Sequence, residues 1–359
     1  MTGGAEGAGS APDGRFRRAG ALVGHWSGDE FLLENYLSHR RVAVSPLLAH
    51  LLSGQEGYAT AAEIASRLPV AGAGELVRQL VEHGVLLAEG TPQDDLDRSV
   101  GDRWAWGPAA RFFHYTTQHI SFHEDLAVEA EKLGELAAAT PPPAPYKECG
   151  TPALDLPGTH DDAGGLWDVL RRRRTQRAFT GEAVSLERFA RVLQWTWGRS
   201  RVMHDPVFGE YVVKTSPSGG SRHPIEVYPL VLRVDGVEPG LYHYSVRRHA
   251  LDLLQPGFFP ELASRLCAGQ QWVSDAAAVC FMTAVVERSA WKYRQPHAYR
   301  VLHLDAGHLG QTFHLVCTEL GLAPFTTGAS REKEVERFLG IDGVSEIPMY
   351  VAALGVPAA

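Results

Sequence analysis

The C-terminal half of the chain carries two hydrophobic rhythms. Over 305–320, Ala306, Leu309, Phe313, Val316, Cys317 and Leu320 recur at helical spacing on one face, and Gly321 supplies the stop. Ser185 stands directly before a second periodic set, Leu186, Phe189, Ala190 and Leu193, which marks a capped helix ending at Gly198. Elsewhere the pattern changes to near-continuous apolar runs at 225–234, 277–286 and 349–354, as in strands buried on both faces. Segments 240–244 and 250–254 flank Arg247 and Arg248 and read as a hairpin. Helices and strands thus alternate from 166 to 359, with no internal repeat.

The N-terminal part is organised differently. Thr60-Ala61-Ala62-Glu63 is a capping-box pattern opening a helix that runs to Leu68. A second helix is expected over about 74–83, with Leu76, Val77, Leu80 and Val81 on one face; Gly84 ends it and Val85-Leu86-Leu87 begins a strand. Helix, helix, then strand is the order of a winged helix, so 21–90 reads as a winged-helix-like domain. Residues 1–20 are rich in Gly, Ala and Ser and read as disordered. Segment 91–165 holds the aromatic stretch Trp104, Trp106, Phe112, Phe113, His114 and Tyr115, a helical stretch near 124–138, and a stiff connector through Pro141, Pro142, Pro143 and Pro145. The aromatic cluster is read as packing against a neighbour.

Charge bears on the winged helix. The chain carries a formal net charge of −8, and the second helix adds Glu75, Arg78 and Glu82, a local sum of about −1 that repels phosphates. Nucleic acid is therefore not the expected partner, and a peptide-docking module or dimerisation arm fits better. With 45% hydrophobic and 21% charged residues the chain can bury a substantial core. Cys149, Cys267, Cys280 and Cys317 are widely spaced, without metal-ligand spacing, as in a reducing compartment. No apolar run approaches about 18 residues and the N-terminus lacks a signal-peptide core, so a cytoplasmic location without membrane partners is expected.

Four constellations carry candidate chemistry. Arg171 to Arg174 followed by Thr175, Arg177 and Phe179 supplies forked donors and a hydroxyl, the groups that grip a phosphate and a polar chain, although arginine runs are also common on solvated faces. Pro217-Ser218-Gly219-Gly220-Ser221-Arg222-His223-Pro224 precedes a strand; its glycines let backbone approach a flat ligand, and alone it could equally be an ordinary turn. Lys292 and Tyr293 follow Trp291 at the end of a buried-looking strand and form a candidate proton-transfer pair. His303 and His308 lie five apart on a helix, hence on different faces, which argues against a metal site.

Taken in order, these elements resemble the nitroreductase superfamily. Arg173, Arg174, Thr175 and Arg177 with Phe179 resemble its opening FMN-binding motif, and Pro217, Ser218, Gly219, Ser221 and Arg222 its Pro-Ser-Ala-Gly-Asn segment. Gln311 and Thr312 sit where Gln-Asn is usual, and Thr327 and Gly328 fall in the loop that faces the flavin ring. Segment 240–244, the Trp291-Lys292-Tyr293 element and the Ala-Gly-His before Gln311 resemble the peptide azoline dehydrogenases within that superfamily. The resemblance implies an α+β fold with a mainly antiparallel sheet, a homodimer binding FMN at its interface, and oxidation of thiazoline or oxazoline rings in a ribosomal precursor peptide. It further implies Lys292 as base, Tyr293 as positioning donor, Arg177 near the flavin N1/O2 edge, reoxidation by O2, and a cyclodehydratase partner. In that company the winged-helix-like domain resembles a leader-peptide recognition element. Ser221 and Thr312 depart from the usual asparagines, and no basic segment follows the last strand, which shifts phosphate binding toward Arg173, Arg177 and Arg222. The rival expectations are an NAD(P)H-dependent small-molecule flavin reductase, a non-catalytic peptide-binding scaffold, and a redox-sensing DNA regulator.

Overall fold

The structure, a computed structural model, describes residues 14–70, 72–118, 126–139, 165–205 and 209–358. The chain forms two compact units: one runs to residue 119 and includes Arg294–Pro296, the other comprises the remainder. Most of the low-complexity start and the proline-rich connector lie outside the described residues.

The first unit contains β1 (Arg15–Arg18), β2 (Leu22–Ser27), β3 (Glu30–Asn35), β4 (Arg40–Ala43), α1 (Pro46–Ser53), β5 (Ala59–Thr60), α2 (Ala61–Ser66), α3 (Ala73–Glu82), β6 (Leu86–Ala88), α4 (Pro92–Arg103) and α5 (Gly107–Thr117). Its sheets run β5-β1-β6 and β2-β3-β4, around a core that includes Phe16, Leu52, Ile64, Leu80 and Leu86. The capping box forms: the Thr60 hydroxyl accepts from the Glu63 N–H and the Glu63 carboxylate accepts from the Thr60 N–H. Disorder expected as far as residue 20 is corrected at Arg15–Arg18, where Phe16 is buried in the core and Arg17 donates to Asp94 at 2.7 Å and to Asp97 at 2.7 Å. Those bonds draw α4 into the same unit, and Tyr115 and Phe112 of α5 pack on Tyr36. Segment 91–118 therefore folds with the first unit, through an ion pair between residues far apart in sequence.

The second unit contains α6 (Leu126–Ala139), α7 (Gly165–Arg172), α8 (Leu186–Thr196), β7 (Arg201–Asp205), β8 (Gly209–Val213), β9 (Ile225–Val231), β10 (Gly240–Ser245), β11 (Ala250–Pro256), α9 (Pro260–Leu266), β12 (Ala278–Val285), α10 (Val286–Ala290), α11 (Ala298–Glu319), β13 (Ala323–Thr327), α12 (Glu332–Leu339) and β14 (Glu346–Gly355). A six-stranded sheet runs β11-β10-β9-β12-β14-β13 with every pairing antiparallel. The apolar runs become its centre: Phe281 on β12 registers with Tyr228 on β9 and with Val351 on β14. On one face Leu230, Val279, Phe281, Phe325 and Val351 form a single cluster.

Along α11, Leu309, Phe313 and Cys317 are buried, and the Trp197 ring beyond α8 packs tilted against Phe313, with ring centres 5.7 Å apart. Gly310 is required by close approach, since a Cβ there would lie 2.7 Å from Tyr350 of β14. The helix begins earlier than the periodicity predicts, because Ala298, Tyr299 and Leu302 are buried and continue the apolar face. Polar Arg300 and His303 interrupt that face in the sequence. No helix among the described residues is long and apolar enough to cross a membrane.

Candidate active site

The glycine-rich turn between β8 and β9 is laid against α11 by a short chain of hydrogen bonds. The Ser218 hydroxyl donates to Asp305 at 2.6 Å, the Gly219 N–H donates to the same carboxylate at 3.2 Å, and the His223 N–H donates back to Ser218 at 2.9 Å. Asp305 is 3% exposed, and burial raises its pKa despite those donors. Ser216 and Thr312 share a hydroxyl–hydroxyl bond of 2.6 Å, so the threonine that replaces the usual asparagine is committed to holding the turn. The Ser221 hydroxyl makes no hydrogen bond among the described residues.

The turn is strained where it must be close. Gly220, Ser221 and His223 have φ of 59°, 54° and 44°, a region L residues adopt only when surroundings over-determine them. At Gly220 the surroundings are the candidate proton-transfer pair: a Cβ there would overlap the Tyr293 Oη and lie 2.8 Å from the Lys292 Nζ. Both residues follow α10, with the Tyr293 N–H donating to the Ser289 carbonyl at 2.9 Å. The Lys292 ammonium stands 5.4 Å from the Tyr293 ring centre, and the Arg222 guanidinium 5.5 Å from that of Trp291. The structure thus joins two motifs that lie far apart in sequence, over a backbone that only glycine allows so near.

The arginine motif lies elsewhere. After α7 the chain runs extended beside β13 and the segment after β14: the Gln176 N–H donates to Pro324 at 2.9 Å and the Thr180 N–H to Val356 at 3.0 Å. Arg172 donates to the Thr318 carbonyl near the end of α11 at 3.2 Å. Arg174 turns back onto the carbonyls of Arg171 and Arg173 and so braces its own loop. Arg177 lies against Trp272 and Phe325 at 5.8 and 5.7 Å. Arg173, Thr175 and Arg177 have no hydrogen bond or ion pair from their side chains among the described residues. Burial, aided by Arg173, pushes His314 down to about 4, so it is neutral beside them. Thr327 accepts from Gln270 at 3.1 Å and from the Ala329 N–H at 2.9 Å, shaping the loop at exposed Gly328.

Two groups result. Pro217, Ser218, Gly219, Ser221 and Arg222 gather with Lys292 and Tyr293 over the N-terminal half of α11. Arg173, Arg174, Thr175 and Arg177 gather with Thr327 and Gly328 beyond its C-terminal end. Asp305 and Thr318, which anchor the two groups, lie about 20 Å apart along the helix at the usual rise per residue. Gln311 is exposed between them. Cationic donors without carboxylate partners at one end, and a cradle that a Cβ would fill at the other, fit an anionic, flat, polar-chained group such as FMN. Asp305 was not assigned a role by sequence reasoning; its only signal is a carboxylate at the head of an apolar helix face.

Residues 170–356 match the Nitroreductase family, and the chain belongs to that family. It is 31% identical over 191 residues to a Methanocaldococcus jannaschii protein named as a nitroreductase, covering 53% of this chain and 90% of that protein. It is 34% identical over 176 residues to the trifolitoxin-processing protein TfxB of Rhizobium leguminosarum bv. trifolii, covering 46% of each, so the match spans about half of that relative's length. Its fold is similar to a chain of the Escherichia coli microcin synthetase McbBCD complex with truncated pro-MccB17 bound, with a TM-score of 0.56, 18% identity, and coverage of 76% of this chain and 99% of that one. The fold class is thus the α+β nitroreductase fold with an N-terminal domain of strands and helices, and the chain is an oxidoreductase of that family.

Proposed function

We propose that this protein is an FMN-dependent dehydrogenase that oxidises azoline rings, thiazoline or oxazoline, to azoles in a ribosomally made peptide. The observation that carries the reading is the packing of Lys292 and Tyr293 onto the Gly220 turn. Relatives lend support: TfxB is named for processing trifolitoxin, and the microcin synthetase chain comes from a complex holding a propeptide. When bound, FMN supplies the two-electron acceptor for ring oxidation. Lys292 Nζ, as the free amine, takes the ring proton and becomes the ammonium, and Tyr293 Oη orients the amine and the ring. Gly219, Gly220 and Ser221 let the ring lie against backbone. Arg173 and Arg177 hold the phosphate and the negative edge of the cofactor, Thr175, Ser218 and Gln311 serve its polar chain, and the Thr327–Gly328 loop borders its ring.

The separation of the two groups along α11 supports a homodimer in which the turn of one copy meets the arginine edge of the other. We assign the first unit to docking the precursor peptide, with a cyclodehydratase as the partner that makes the ring. Wild type and Lys292→Ala are compared by visible spectrum and by mass spectrometry of an azoline-containing peptide. Yellow flavin in both, with loss of two hydrogens per ring only in wild type, is the expected outcome. Protein that takes up no FMN on reconstitution would sink the assignment. Rapid bleaching by NADPH without peptide oxidation would transfer it to a small-molecule reductase.

A further inference from the structure

Behind the glycine turn lies a polar cleft of about 410 Å³, of whose lining the chemistry above uses only Ser221 and Arg222. It is walled by β8, β9, β10 and the turn itself, and five cationic side chains line it against two carboxylates, Glu210 and Glu226. Both carboxylates are already taken. Glu210 accepts from Arg247 at 3.3 Å; Glu226 accepts from Arg288 on one oxygen and from His243 at 2.8 Å on the other. Asp305, which shares a small adjoining void with Lys214, is held by Ser218 and the Gly219 N–H. The half-buried Lys214 is left over, with no hydrogen bond or ion pair among the described residues. Burial lowers its pKa to about 8, Glu226 and Arg288 acting in opposite directions on what remains. Beside it, burial and Lys214 together hold His223 down at about 4 and hence neutral.

A desolvated ammonium without a counter-ion is unfavourable unless an anion arrives to pair with it. We infer that this cleft is a subsite for the carboxylate of an acidic side chain in the peptide substrate, with Lys214 as its counter-ion. Two features favour that ligand over a phosphate. Resident Glu210 and Glu226 would repel a dianion more strongly than a carboxylate. The cleft also shares Ser221 and Arg222 with the turn that faces Lys292 and Tyr293, so an acidic residue held there lies close in sequence to the ring being oxidised. The volume suits one side chain with its flanking backbone. The inference rests on the peptide-oxidising reading and selects among such peptides.

The test titrates the full-length protein, after incubation with FMN, by calorimetry with the blocked pentapeptide Ac-Gly-Ser-Glu-Ser-Gly-amide, its Gln counterpart, and the Gln peptide with a free C-terminal carboxylate. The Glu peptide should bind at least tenfold more tightly than the blocked Gln peptide. That preference should vanish in Lys214→Met and persist in Lys214→Arg. Equal binding of the blocked Glu and Gln peptides overturns the inference, as does tightest binding by the free C-terminus. Reduced FMN affinity in Lys214→Met, read from flavin absorbance in the same samples, would assign the cleft to the cofactor and also overturn it. Lys214→Met should melt no lower than wild type, because it removes a half-buried charge that has no direct hydrogen bond or ion pair among the described residues; a lower melting temperature means that the lysine has a partner and refutes the premise. Bound flavin with ring oxidation but no Glu preference defeats the subsite alone, whereas a Glu preference in protein that never takes up flavin defeats the dehydrogenase reading alone.

Discussion

Gly220→Ala separates backbone strain from catalytic positioning. The residue has φ of 59°, and its Cβ would overlap the Tyr293 Oη while lying 2.8 Å from the Lys292 Nζ and 3.1 Å from the Lys292 Cδ. A left-handed alanine costs about 1–2 kcal/mol, partly offset by the reduced freedom of the unfolded chain. For a domain of this size that lowers Tm by roughly 2–6 °C. The steric overlap is relieved more easily, because the two nearest of these atoms end side chains that can withdraw by about an ångström. That withdrawal displaces the proton-transfer pair, and misplacement on this scale reduces turnover on the order of 100-fold. Gly321→Ala is the matched control: its φ is 67° and a Cβ there meets nothing within 4 Å. Both variants should lose similar Tm, but only Gly220→Ala should lose peptide oxidation while keeping bound flavin. Turnover of Gly220→Ala within twofold of wild type, or an equal loss in Gly321→Ala, would refute the placement of Lys292 and Tyr293 at the reacting ring.

Two further outcomes follow from buried charge. Arg17→Met leaves buried Asp97 without a cation and Asp94 with only Arg98 at 3.6 Å and should destabilise the first unit by about 2–4 kcal/mol, read as an earlier transition in chemical denaturation of the full chain; an unchanged midpoint would show that Arg98, Tyr58 and the backbone donors suffice for the two carboxylates. Lys214→Met should stabilise at pH 7 by ~1–3 kcal/mol, discounted for partial exposure. The sign follows from a folded pKa of about 8 against an ordinary 10.5: the folded state binds fewer protons than the unfolded between those values, so wild-type stability rises with pH across the window. The advantage of the variant in melting temperature should therefore shrink from pH 7 to pH 10, and a constant advantage would contradict the assignment.

The central strands were legible because burial on both faces writes a continuous apolar run, as at β9, β12 and β14. The hairpin of β10 and β11 was equally plain around Arg247 and Arg248. What stayed hidden depends on pairing across distance. Nothing local tells Arg17 that Asp94 and Asp97 will meet it, so β1 reads as disordered and α4 is grouped with the separate segment 91–165. Asp305 reads as one polar residue in an amphipathic helix until the turn delivers Ser218 and Gly219 to it. Lys214 is hidden for the opposite reason: an unpaired charge is recognised only after every nearby carboxylate has been accounted for. Linking the Gly220 turn to Lys292 and Tyr293 came from family resemblance, because no periodicity connects segments so far apart.

The division of site residues along α11 can be tested without knowing how two copies pack. If the turn of one copy serves the arginine edge of its partner, each dimer holds two sites, each built from both chains. Lys292→Ala and Arg177→Ala homodimers then each lack one half of every site and are inactive. After exchange of subunits, half of the dimers pair one variant with the other. In each such mixed dimer one site combines the intact Arg177 edge with the intact Lys292 turn, and its second site carries both defects. Roughly a quarter of all sites should therefore regain peptide oxidation on random mixing. If instead each site is built within one chain, every site in the mixture keeps a defect and activity stays at the level of the separate variants. Recovery near a quarter supports a shared site; no recovery, with exchange verified by native mass spectrometry, returns both residue groups to a single chain and removes the argument for an obligate pair.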